Sequence, residues 1–167
     1  MKHIKCFVLV LALSVALLFP GQSLKAANDN DQKGMTFILS AEGGFEFVHQ
    51  YKGVLNTDMT LSLGHSYGNG LFFGGGIGLY ASWKNDVSFP LFVQVRYSFP
   101  TTRKVSPFVD LKMGPAYSDS FRNVALFYSS AIGIDTRRLS YYLSYRSIEC
   151  KNGIPFKGLQ LGISFLF

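Results

Sequence analysis

The feature that most restricts this chain is a two-residue period that returns eight times along 167 residues. Apolar and polar side chains alternate over segments of about ten residues or more, a strand pattern rather than a helical one. The segments are Met35–Val48, Val54–Tyr67, Leu71–Trp83, Ser88–Phe99, Ser106–Tyr117, Val124–Asp135, Arg138–Glu149 and Lys157–Phe167. In the last of them Leu159, Leu161, Ile163, Phe165 and Phe167 share one face, opposite Gly158, Gln160, Gly162, Ser164 and Leu166. The fourth sets Phe89, Leu91, Val93, Val95, Tyr97 and Phe99 against Ser88, Pro90, Phe92, Gln94, Arg96 and Ser98. Val109, Leu111 and Met113 likewise oppose Asp110, Lys112 and Gly114, and Leu139, Tyr141, Leu143 and Tyr145 oppose Ser140, Tyr142, Ser144 and Arg146. Successive side chains of a strand leave a sheet on opposite sides. The chain therefore predicts a sheet with one large apolar face and one small, polar or charged face.

The connections also alternate. Tyr67-Gly68-Asn69-Gly70 is a tight turn with glycines available for positive φ. Pro100–Lys104 and the Asp135–Arg138 corner are short as well. Longer connections fall around Gln50–Gly53, Lys84–Val87, Ser118–Asn123 and Cys150–Phe156. Short turns on one rim and longer loops on the other predict an all-β, eight-stranded antiparallel up-and-down barrel. Each segment reaches the roughly 9–11 residues that a membrane-crossing strand needs. Alternation alone leaves a second solution open, a soluble barrel that turns the apolar face inward around a ligand. The aromatic residues favour the transmembrane β-barrel. Phe47, Trp83, Phe89 and Tyr117 gather toward the loop rim, and Tyr67, Phe73, Phe99 and Phe167 toward the turn rim. Amphipathic rings favour the headgroup level of a bilayer.

Residues 1–27 read as a secretory signal peptide. Lys2, His3 and Lys5 precede an apolar run from Cys6 to Phe19, Pro20-Gly21 breaks it, and Ala26 or Ala27 offers a cleavage point. That run is shorter than the roughly 20 residues of a membrane helix. Residues 28–34 are polar and read as a disordered lead-in, leaving 35–167 as the barrel. Loss of Lys2, Lys5 and Lys25 lowers the formal charge from +6 to +3. The remaining cations are scattered, so the basic balance carries no argument for a nucleic-acid partner. Cys150 is then the sole cysteine, which excludes an internal disulfide and a cysteine-based metal cluster.

The end of the chain is the most specific signal. Gln160-Leu161-Gly162-Ile163-Ser164-Phe165-Leu166-Phe167 stops inside an apolar strand, whose uncovered edge would invite aggregation in a soluble protein. This ending resembles the assembly signal of outer-membrane proteins, with Gly162, Phe165 and Phe167 as its spaced glycine and aromatics. The resemblance implies recognition by the barrel-assembly machinery. Phe89–Phe99, which ends in Arg96-Tyr97-Ser98-Phe99, precedes a Ser106-Pro107-Phe108 strand start. This pair resembles a recurring pattern of the porin-like outer-membrane β-barrel domain family, and the whole mature chain is similar to the eight-strand plan of the OmpA/OmpX type. The family implies export to the outer membrane and contact with its lipids, but no shared activity. The peptidoglycan-binding domain that some OmpA-type proteins carry has no counterpart here.

The alternation points Glu42, Glu46, Asp58, Arg96, Asp110, Lys112 and Arg146 inward. Eight strands leave an interior that side chains just fill, so these charges are expected to pair and plug it. A narrow conduction path for ions or small solutes is the second reading and a lipid-modifying enzyme the third. Lipid A deacylases place a histidine, a serine and an acid toward the outer leaflet. His65 and Ser66 alternate to opposite faces near the periplasmic rim if both termini are periplasmic, and no adjacent acid orients the imidazole. His49 lies near the first external loop without evident catalytic partners. The run Gly74, Gly75, Gly76 and Gly78 opens no helix and lacks the lysine of a phosphate loop, so small residues in a tight barrel wall explain it better. No spacing suggests a zinc or calcium site, and no cofactor is implied. The sequence therefore points to a monomeric, non-enzymatic barrel with a structural or surface-interaction role.

Overall fold

A computed structural model describes residues 33–48, 51–82, 87–101, 105–118, 124–136, 139–149 and 156–167. The leader, most of the lead-in, His49, Trp83 and Cys150 lie outside the described residues. Eight strands follow one another: β1 Lys33–Val48, β2 Tyr51–Tyr67, β3 Leu71–Ser82, β4 Val87–Ser98, β5 Ser106–Ser118, β6 Val124–Asp135, β7 Leu139–Glu149 and β8 Phe156–Leu166. Each pairs antiparallel with the next, and β1 pairs antiparallel with β8, so the sheet closes into a barrel. Phe37 and Phe167 exchange backbone hydrogen bonds of 3.0 and 2.9 Å, which carries the closing ladder to the final residue. Closure leaves no strand edge unpaired, the one way a sheet can sit in a medium that offers no hydrogen bonds.

Two boundaries differ from expectation by more than one residue. β1 begins at Lys33, so Lys33 and Gly34 belong to the ladder, opposite Tyr67 and Ser66, rather than to a disordered lead-in. β2 begins at Tyr51 rather than Val54, because the ladder resumes at Val48↔Tyr51 after a register shift beyond Glu46. Neither extension shows in side-chain alternation, since backbone pairing alone produces it. The tight turn is as expected: Gly68 and Gly70 take φ of 77° and 84°, and Asn69 Oδ1 accepts a 3.1 Å bond from the Leu71 amide. The other short turns are tied by Phe99 N–H to Pro107 O (2.8 Å) and Thr136 N–H to Leu139 O (2.7 Å).

The faces are the reverse of a soluble barrel's. Leu161, Leu91, Leu111 and Met113 are 71, 58, 57 and 57% exposed on the outside, while Arg96 and Arg146 are each 2% exposed inside. So large an apolar belt cannot be left to water by a monomer. Inside, aromatic rings lie over glycines. A Cβ on Gly74 would come 2.7 Å from the Phe72 ring, one on Gly76 2.7 Å from Phe92 and one on Gly133 2.8 Å from Phe108. The glycine-rich β3 is thus the thin part of the wall that lets Phe72 and Phe92 fit a narrow lumen.

Candidate functional site: the charged interior

All seven residues expected inside are there, at 7% exposure or less. Their strands deliver them at three levels, and at each level a cation meets a carboxylate.

Nearest the short turns, Arg96 on β4 forms an ion pair with Asp135 on β6. Its guanidinium also donates to Ser140 Oγ (2.8 Å) and Ser164 Oγ (3.4 Å) and lies 3.6 Å from the centre of the Phe108 ring. Ser98 Oγ donates to the second oxygen of Asp135 at 2.7 Å. At mid-height Lys112 Nζ reaches Glu42 Oε1 (3.4 Å) and Thr60 Oγ1 (3.1 Å). Glu42 also accepts from Tyr142 (3.0 Å) and Ser144 (2.7 Å), while Asp110 accepts from Gln94 Nε2 at 2.6 Å. Toward the loops Arg146 pairs with Asp58 and lies 4.1 Å from the centre of the Tyr80 ring. Tyr80 donates to Glu46 (2.7 Å), and Gln160 donates to Asn56 (2.9 Å) and Asp58 (3.1 Å).

The expectation of pairing needs refinement. Arg96 is matched by Asp135, which the sequence reading left at a turn corner, and not by one of the expected seven. Asp135 shares the parity of Ser129, Ala131 and Gly133 along β6, so its inward direction was available in the alternation. Tyr80 and Asn56 are further members that the list of charges passes over. Gly162 lies inside against Tyr142, and Phe165 and Phe167 are partly exposed at the turn end of β8 and beyond.

The interior is filled rather than lined. Arg96, Arg146, Phe108, Ile38, Ile148, Gln94 and Gln160 have almost no surface that a water molecule could touch. A void of about 10 Å³ borders Glu42, Asp58, Thr60, Ser129 and Arg146, room for one water at most. These carboxylates are buried, and the partners they show are side chains of other strands of the barrel. On the outside His65 packs its ring 5.0 Å from that of Tyr67, opposite Met35 and Phe73 in the ladder. Among the described residues no three His, Cys, Asp or Glu side chains converge as a metal site requires.

Fold and interior together define a small eight-stranded antiparallel barrel of the outer-membrane type. No family profile and no curated protein matches the sequence. In solved structures the barrel is similar to Neisserial surface protein A, with 15% identity over 81% of this chain and 99% of that one, at a TM-score of 0.59. It is also similar to the outer membrane enzyme PagL, with 12% identity over 77% of this chain and 98% of that one, again at 0.59. At such identities the likeness establishes the fold and carries no residue across.

Proposed function

We propose that this protein is an integral outer-membrane barrel without catalytic activity, acting through envelope integrity or through its exposed loops. The observation that carries the reading is the inversion of faces around a sealed core. An apolar belt, with Leu91, Leu111 and Leu161 more than half exposed, asks for lipid. Close packing inside argues against a water-filled path, because a conducting lumen needs side chains that water can touch. The likeness to a surface protein is in keeping with this reading, and the likeness to an enzyme sets its test. Cells with and without the protein should yield lipid A of identical mass, while the deletion should raise sensitivity to detergents and large antibiotics. A difference in acyl chains would overturn the non-enzymatic reading. Recovery of the protein outside the outer-membrane fraction would overturn the location.

A further inference from the structure

Toward the loop end of the interior, two buried polar atoms of opposite kind lack a hydrogen bond among the described residues. Asp58 uses Oδ2 for the ion pair with Arg146 and for the bond from Gln160, and its Oδ1 accepts none. Arg146 pairs through Nη1, and its Nη2 donates none. Both side chains are more than nine-tenths buried, at 7 and 2% exposure. An enclosed carboxylate oxygen and an enclosed guanidinium N–H are each costly unless something bonds them. Both residues border the same void of about 10 Å³, with Glu42 and Ser129 on its polar side and Tyr80 and Phe127 on its apolar side. The ladder brings these residues from two walls. Glu42, Asp58 and Tyr80 are successive partners across β1, β2 and β3, while Ser129 stands opposite Arg146 across β6 and β7.

We infer that this void is a binding site for one water molecule, which donates to Asp58 Oδ1 and accepts from Arg146 Nη2. Its size admits one water and nothing larger. The charges around it select a neutral molecule that both donates and accepts. A cation there would face Arg146, and an anion would face Asp58 and Glu42. At the turn end the hydroxyls of Ser140 and Ser164 occupy the Arg96 guanidinium. The bound water does for Arg146 what those serines do for Arg96, and it ties β2 to β7 by a second link beside the ion pair.

X-ray radiolysis of the folded protein in detergent micelles, read by mass spectrometry, tests the site. Radiolysis converts a bound water into a hydroxyl radical that oxidises the nearest ring before it diffuses away. Phe127 borders the void and Phe108 at the turn end does not, although the two are buried alike, at 4 and 2% exposure. Phe127 should therefore be oxidised many-fold faster than Phe108. Arg146→Met with Asp58→Leu removes both bonding atoms and should abolish that excess, with heat-modified gel mobility showing the variant folded. Equal oxidation of Phe127 and Phe108 in the wild-type protein would overturn the site. An excess that survives in the folded double variant would assign the radical to bulk water and overturn it as well. A crystal structure of the wild-type protein keeps the question decidable should the variant not fold. It should show one solvent peak within hydrogen-bond distance of both Asp58 Oδ1 and Arg146 Nη2. A direct bond between those two atoms, with no solvent peak, would overturn the inference.

Discussion

The two ends of the barrel interior use the same device with different completeness. At the turn end Arg96 spends its guanidinium on Asp135, Ser140 and Ser164, stacks on Phe108 and leaves only Nε without a partner. At the loop end Arg146 pairs with Asp58 and stacks on Tyr80, yet Asp58 Oδ1 and the neighbouring Asn56 Nδ2 are buried without hydrogen bonds. Arg146 and Asp58 also border the small void. A narrow barrel needs to be sealed at one level to be closed. Here the turn end is the tight seal, and the loop end tolerates imperfect packing around an ion pair.

Removing each cation tests that contrast. Arg96→Ala should have the largest effect, a loss of about 3–5 kcal/mol of stability, because Asp135 is left charged and buried while Ser140 and Ser164 lose a donor. Urea unfolding in liposomes would measure it. Arg146→Ala should cost less, about 3 kcal/mol, since its surroundings are already incompletely satisfied. Equal losses would erase the distinction between the ends. The double replacement Arg146→Met with Asp58→Leu should come within about 1 kcal/mol of wild type, as hydrophobic replacement of a buried pair often does. The matching change at the turn end, Arg96→Met with Asp135→Leu, should remain destabilising, because Ser98 and Ser140 are left without their shared acceptor. At mid-height Tyr142→Phe should cost about 1.5 kcal/mol, less than the loss of either arginine, from one hydrogen bond to the charged Glu42.

Much of this arrangement was legible in the sequence. Period-two alternation gave eight strands and the facing of their side chains, because in a tilted closed sheet every residue has only two directions to take. Partner choice was not legible. Arg96 on β4 reaches Asp135 on β6 across the lumen, a pairing set by tilt and stagger and not by any local pattern. Asp135 itself was hidden by its place at the end of β6, where an Asp reads equally well as a turn residue. The strand extensions at Lys33 and Tyr51 were also invisible, since they rest on backbone pairing.

The central claim is a barrel whose apolar face meets lipid and whose charged core is closed. Planar-bilayer recording on the purified wild-type protein tests it most directly, with insertion verified in the same preparation. The account predicts a current indistinguishable from that of the protein-free bilayer. Stable, reproducible unitary steps would contradict it.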